Sequence, residues 1–279
     1  MYKIVKTAKL SENQYDFWIE APKIAAKTKP GQFIILRTNE EGERIPFTVV
    51  ETDQDKGLIR FIFQVIGKST SELALLKAGD SIKDVSGPLG MPTEIENYGT
   101  VMIVGGGVGI AVIYPVLRAL KEAGNKVITI LGAKTADLLI LKDECQEYSD
   151  ELIITTDDGS LGMKGLVTDA MENIIAKNSI DHCWAIGPGI MMKFCTMTAA
   201  KHDIPIFVSL NPIMIDGTGM CGCCRVTIDG EIKFVCVDGP EFKGTEVNWK
   251  EFLGRMKQYE EEEGVSLTDY QKVQVKDHG

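Results

Sequence analysis

The chain has no run of lysine or arginine, only three histidines, and no apolar stretch long enough to cross a bilayer. Forty acidic against thirty basic residues give a formal net charge of −10. A nucleic-acid binder needs a basic footprint to displace counterions from phosphates, so no nucleic-acid partner is expected. Seven cysteines in 279 residues do not make a disulfide scaffold, and their odd number fits a reducing compartment. The opening residues MYKIVKTAKL hold no long apolar stretch. No secretory signal is therefore expected, and the cytoplasm is the expected location. Residues 101–117 mimic a membrane span because they carry no charge, yet they include four glycines and Pro115. They fall short of the ~18–20 apolar residues a spanning helix needs and read instead as strand, glycine loop and helix. No membrane partner is expected.

What remains has the balance of an ordinary globular protein, 44% hydrophobic and 25% charged, at a length that suits two domains. Residues 1–97 read as short strands: YDFWIEAP (15–22), QFIILRT (32–38) and GLIRFIFQVIG (57–67), punctuated by KPGQF, AGDSIKD and SGPLG. An antiparallel β-barrel is expected there, with one short helix over 69–76. Residues 98–210 alternate strand and helix, which predicts an α/β domain with a parallel sheet covered on both faces. Strands are expected at 101–104, 126–131, 152–156, 182–186 and 206–210, and helices at 110–124, 138–148, 165–176 and 190–200. Residues 211–245 hold four of the seven cysteines and little material for a core of their own. Residues 246–279 begin as an amphipathic helix and run through EEEE to a polar tail, read as a solvated surface or as a segment ordered by a partner subunit.

Three places carry chemistry. GGGVG (105–109) ends a strand and opens a helix, but Ile110 stands where G-x-G-x-x-G needs its last glycine. Such a loop still approaches a phosphate closely and offers it N–H groups. Glycine-bearing strand ends recur at Gly132, 157–159 and 187–189, and together they favour a nucleotide over an empty turn. The second place is DGTGMCGCCRVTIDGEIKFVC. Cys221 and Cys224 have C-x-x-C spacing, and Cys236 is expected on the second strand of a hairpin turned at Asp229-Gly230. Three thiols on a glycine-rich loop point to an iron–sulfur cluster more than to zinc, which wants a fourth ligand. Cys223 adjoins Cys224 and no histidine is near; purely structural thiols remain the third reading. The third place is RIPFT (44–48) with GKST (67–70). An arginine there can grip a pyrophosphate bidentately, although Arg44 taken alone reads as a surface residue.

The order of barrel, nucleotide sheet and terminal cysteine loop resembles the ferredoxin–NADP reductase superfamily. Within it, the resemblance is to the branch holding dihydroorotate dehydrogenase electron-transfer subunits and the small subunits of NADH-dependent ferredoxin:NADP oxidoreductases (sulfide dehydrogenase beta subunits). RIPFTVV, GPLG (87–90), VGGGVGIA, GAKTADLLI (132–140), TTDDGSLGMKGLVTD (155–169), AIGPGIMMK (185–193) and MIDGTGMCGCCRV carry it across essentially the whole chain. The resemblance implies FAD held by Arg44, Pro46, Phe47 and Thr48, with Gly67, Ser69 and Thr70 closing over its phosphate and ribitol side. It implies NAD(H) against Gly106, Gly107, Val108, Gly109, Ile110 and Ala111, and against Gly187, Pro188, Gly189 and Met191. The domains it implies are an FAD barrel (1–97), an NAD(H) domain (98–210), a 2Fe–2S subdomain (211–245) and a C-terminal helix and tail (246–279).

In the dihydroorotate branch four cysteines hold the 2Fe–2S cluster. Here Asp216 occupies the first position, followed by Cys221, Cys224 and Cys236, with Cys223 as the rival fourth ligand. Asp plus three Cys resembles the ferredoxin:NADP oxidoreductase type. NADP-using relatives place Ser-Arg after the third strand, where this chain has Asp157-Asp158. A carboxylate accepts a bond from a ribose hydroxyl and repels a phosphate, so NADH is expected; simple turn capping is the alternative. The implied activity is electron transfer between NAD(H), FAD and the cluster, with no catalytic acid or base. It would operate beside a larger subunit carrying another FAD and 4Fe–4S clusters, reaching ferredoxin through it, in an electron-bifurcating complex. The alternatives are a dihydroorotate dehydrogenase subunit or another flavin–cluster oxidoreductase, and a non-catalytic nucleotide-binding subunit with structural zinc.

Overall fold

The computed structural model describes residues 1–277. The chain opens with β1 (Tyr2–Lys9), β2 (Gln14–Glu20), α1 (Pro22–Ala25), β3 (Phe33–Arg37), β4 (Ile45–Thr48), β5 (Glu51–Asp53), β6 (Leu58–Gln64), α2 (Lys68–Ala74), β7 (Ser81–Ile82) and β8 (Asp84–Leu89). They form two antiparallel sheets, ordered β5-β6-β2-β1-β7 and β4-β3-β8, that close around one core as the expected barrel. Alternation in β2 sends Phe17 and Ile19 inward. Opposite them in register, Phe61 and Ile59 of β6 do the same. Each such fully buried side chain contributes roughly 1.5–3 kcal/mol.

From Thr100 the chain becomes β9 (Thr100–Gly106), α3 (Gly109–Glu122), β10 (Lys126–Ala133), α4 (Lys142–Glu147), β11 (Glu151–Thr156), β12 (Met163–Lys164), α5 (Val167–Ile175), β13 (His182–Ile186), α6 (Gly189–Lys201) and β14 (Ile206–Ser209). The continuous apolar run of β9 is buried on both faces, as a central parallel strand requires. Strand order β12-β11-β10-β9-β13-β14 places the reversal of winding between β9 and β13. That switch point, at the carboxyl ends of the strands, is where a doubly wound sheet opens a crevice for a ligand.

The structure corrects two local expectations. Residues 138–148 do not form one helix: a turn of 3-10 helix at Ala136–Leu138 is separated from α4 by Leu141 at φ 53°. Cys236 is not on a strand. The hairpin is β15 (Arg225–Ile228) and β16 (Glu231–Phe234), and Cys236 lies in the following helical turn, α7 (Val235–Asp238). As expected, the cysteine-rich segment has no core of its own. Its β17 (Glu241–Lys243) adds an antiparallel edge to the parallel sheet beside β14, and Val226, Ile228, Val235 and Phe242 join the interior under that sheet. The acidic run of the tail opens a second C-terminal helix: α8 (Trp249–Met256) is followed by α9 (Glu260–Asp277), which packs against α2 of the barrel. No described helix is long and apolar enough to cross a membrane.

Barrel, sheet and cysteine segment meet at Glu241. Thr93, on the linker between the first two, donates its hydroxyl to Glu241 Oε1 at 2.6 Å, and Met91 N donates to the Gly239 carbonyl at 2.6 Å. Enclosure raises the Glu241 carboxyl from 4.5 to about 7. A native state that binds this proton more tightly than the unfolded chain is most stabilised below pH ~4.5 and loses that contribution as pH rises through ~7. Urea unfolding at pH 5 and 8 should therefore show the parent losing ~2–3 kcal/mol across the interval. Glu241→Gln should flatten most of that slope; an equal slope in the variant would assign it to other groups.

Candidate functional site

The switch point is built from glycine. α3 starts at Gly109 so close to the neighbouring strand that a Cβ there would lie 2.4 Å from the Ile186 carbonyl oxygen and 2.8 Å from Gly187 Cα. Met191 roofs both loops: a Cβ on Gly106 would meet its Sδ at 2.2 Å and one on Gly187 its Cε at 2.7 Å. The fold thus brings Gly106 and Gly109 against Gly187, Pro188 and Met191, while Gly107 faces open space and Gly189 faces Phe252 and Leu253 of α8. Ile110 and Ala111 are buried inside the domain, so they can offer a ligand only backbone.

At the end of β11 the two acids part company. Asp158 Oδ1 accepts from Ser160 N at 2.9 Å and from Ser160 Oγ at 2.6 Å, so Asp158 caps its own turn. Its carboxyl is held below the usual range by those bonds. Asp157 is exposed, and its carboxylate has no partner among the described residues. Asp157→Ala should therefore weaken NADH relative to NADPH by about ten- to a hundredfold, the worth of one charge-assisted hydrogen bond. Titration with both nucleotides checks this, and an unchanged ratio would remove Asp157 from the site.

On the barrel side, a cavity of about 780 Å³ is walled by Glu43–Pro46, Pro212–Ile215, Cys223, Arg225 and the C-terminal helices from Arg255 to Ser266. A second, of about 410 Å³, lies between Gly67–Thr70, Glu43, Ile45 and α9. Arg44 and Pro46 line the first; Gly67, Ser69 and Thr70 line the second. Phe47 turns its ring inward, 5.5 Å from Phe61 and 5.6 Å from Phe63, so its side chain belongs to the barrel core. Thr48 is outside the lining of both cavities. Thr70 Oγ1 accepts from Ile66 N and Gly67 N at 2.9 and 3.1 Å, ordering the start of α2, and Ser69 donates to Glu43.

Arg44 joins the cavity to the cysteine loop. Its Nε donates to the Ile215 carbonyl at 2.6 Å, one residue before Asp216. Asp216 in turn organises the loop: Oδ1 accepts from Thr218 N at 2.9 Å, and Oδ2 from Met220 N at 3.0 Å and Cys221 N at 2.8 Å. These bonds, Thr218 first, hold its carboxyl below the usual range. Gly217, at φ 77°, lets the loop press on the barrel, where a Cβ would sit 2.6 Å from Leu89 Cδ1. Cys224 and Cys236 are buried with their sulfurs 3.2 Å apart, and Cys236 N donates toward Cys224 Sγ at 3.5 Å. Cys221 is exposed at the loop surface. No group of three or more His, Cys, Asp or Glu among the described residues gathers as a metal site. The donor set nevertheless fits an iron–sulfur cluster: two soft ligands in contact, an N–H directed at one, and a third thiol and a carboxylate on one glycine-rich loop.

Sequence reasoning missed Pro212–Met214, Arg225, Arg255 and Tyr259 as cavity walls. They lie more than 160 residues beyond Arg44, and no local pattern marks them.

A closed antiparallel barrel, a doubly wound sheet with a glycine-built crevice and a sulfur-rich loop define a ferredoxin-reductase-like oxidoreductase subunit. The chain belongs to the family of dihydroorotate dehydrogenase B electron-transfer subunits and their homologues. Residues 103–197 match the oxidoreductase NAD-binding domain, and residues 211–248 the iron-sulfur cluster binding domain of dihydroorotate dehydrogenase B. The dihydroorotate dehydrogenase B (NAD(+)) electron transfer subunit homolog of Thermotoga maritima is 57% identical over 97% of this chain and 96% of its own. The electron transfer subunit of Desulforamulus reducens is 32% identical over 89% of this chain and 97% of its own. Among solved structures, a chain of the NADH-dependent reduced ferredoxin-NADP oxidoreductase superposes with TM-score 0.92 at 57% identity, covering 97% of this chain and 98% of that one. The ferredoxin reductase of carbazole 1,9a-dioxygenase, at TM-score 0.65 and 15% identity over 74% of this chain and 67% of its own, shares the fold.

Proposed function

We propose that this chain moves electrons between NAD(H), an FAD and a 2Fe–2S cluster as the small subunit of an electron-bifurcating NADH-dependent reduced ferredoxin:NADP oxidoreductase. The observation that carries the reading is the link between the barrel-side cavity and the cysteine loop, in a chain that also builds a glycine crevice. The glycine crevice opens beside β13, the large cavity is walled by the barrel and the segment after β14, and Arg44 spans from that cavity to the residue before Asp216. FAD supplies the exchange between two-electron hydride chemistry and one-electron transfer. The chain's own residues bind and orient: Arg44 and Gly67–Thr70 the flavin nucleotide, the Gly106–Gly109 and Gly187–Met191 loops the nicotinamide nucleotide. Asp216, Cys221, Cys224 and Cys236 would hold the cluster.

A carboxylate at the first ligand position, where the dihydroorotate branch has cysteine, supports this over a dihydroorotate enzyme. The complex would include a larger subunit with a further FAD and 4Fe–4S clusters, through which ferredoxin exchanges electrons. Anaerobically purified protein should show a flavin spectrum bleached by NADH and, on chemical reduction, a 2Fe–2S EPR signal. Protein that stays colourless after flavin and cluster reconstitution would overturn the reading. The iron-sulfur match to dihydroorotate dehydrogenase B keeps that activity as the second reading. Reconstitution with the candidate large subunits, assayed with dihydroorotate and with NADPH, separates the two.

A further inference from the structure

Three arginines line the large cavity, and their guanidinium groups are differently engaged. Arg44 spends Nε on the Ile215 carbonyl and sets Nη2 3.4 Å from Ser86 Oγ. Arg225 is exposed and donates Nη1 to the Gly222 carbonyl of its own turn at 3.2 Å. Arg255, near the end of α8, donates Nη2 to the Cys223 carbonyl at 3.0 Å, while its Nε is buried with no acceptor. No carboxylate among the described residues forms an ion pair with it, although Glu262 and Glu263 line the same cavity.

A buried N–H without an acceptor is unfavourable, and a guanidinium keeps its charge at every accessible pH. The buried Nε is out of a ligand's reach, but Arg255 lines the wall of the cavity, beside any ligand that fills it. If that ligand gains negative charge on reduction, the unpaired cation favours its reduced form. The same side chain holds the backbone of Cys223, between Cys221 and Cys224. We propose that Arg255 is a positioning residue linking the two redox sites: it braces the cysteine loop through the Cys223 carbonyl and sets an unpaired positive charge beside the flavin, raising the flavin's reduction potential. The proposal rests on the cavity being the flavin site.

The test is a comparison of Arg255→Gln, Arg255→Met and Arg255→Lys with the parent protein. Flavin and iron contents are measured first, then flavin midpoint potentials by anaerobic spectroelectrochemistry, then the reduced EPR spectrum. Gln and Met should shift the flavin potential to more negative values, with Lys staying close to the parent because it keeps the charge. An unchanged flavin potential in Gln or Met protein with its flavin bound overturns the proposal. Loss of the cluster in those variants with the flavin potential still at the parent value also overturns it, because Arg255 would then be only a prop. A parent that binds no flavin would instead defeat the functional reading itself, and its flavin content reports that before any variant is compared.

Discussion

Serine in place of Cys236 or Cys224 should cost the protein its iron–sulfur signal, with iron and acid-labile sulfide falling more than ~10-fold while flavin absorbance persists. The two sulfurs are in contact at 3.2 Å, and at 2% and 1% exposure neither position offers a water molecule as a substitute ligand. A serine hydroxyl is a poor, hard replacement for a thiolate. It also places a polar group in the interior shared with Val226 and Val235, at a cost of about 1–3 kcal/mol if no partner is found. Asp216→Cys should behave differently. It keeps a donor at the same position, so the cluster should persist with a shifted potential and EPR spectrum, since ligand identity is a main lever on both. The loop loses the acceptor for three N–H groups, so some loss of cluster stability should accompany the shift. Undiminished iron in Cys236→Ser, or identical redox titrations for Asp216→Cys and the parent, would remove those residues from the ligand set.

Gly109→Ala should abolish NADH-dependent bleaching and destabilise the sheet domain by about 1–3 kcal/mol, as overpacking of a rigid site does. The added methyl meets backbone, not a movable side chain: the Ile186 carbonyl oxygen at 2.4 Å and Gly187 Cα at 2.8 Å. Relief requires the β9–α3 turn and the β13–α6 turn to separate, and that gap is the crevice itself. Gly107→Ala is the control. Its φ of 56° makes alanine strained, but a Cβ there meets nothing within 4 Å, so it should cost roughly 1–2 kcal/mol while sparing the loop packing. Urea unfolding with NADH titration distinguishes them. Equal NADH response in Gly109→Ala and the parent would mean that the crevice does not bind the nucleotide.

Periodicity made much of this legible. Alternation announced β2, richness in β-formers β6 and an apolar run β9, and the expected 182–186 strand coincides with β13. Cysteine spacing marked the metal-like loop, and the glycine loops marked the strand ends. The failures have physical reasons. Leu141 adopts a left-handed conformation that no composition rule forecasts, which divided the 138–148 helix. Motif position alone does not say which way the Phe47 ring turns, and it packs on Phe61 in the barrel core. In Asp157-Asp158, two identical neighbouring side chains differ in use because only Asp158 can reach Ser160.

The order of domains and the character of each followed from local pattern, because burial period and turn chemistry are encoded over a few neighbouring residues. So did the donor types on the cysteine loop. Which residues share a wall was decided only by the tertiary structure. The large cavity takes its sides from Arg44, Pro212, Cys223 and Arg255, and the brace from Arg255 to the Cys223 carbonyl closes over 32 positions. Contacts of that range depend on how three folded units dock. β17 joins the edge of the parallel sheet, Gly217 lets the cysteine loop lie on the barrel, and α9 packs on α2. No local propensity carries that information, since the interacting surfaces exist only once each unit has folded.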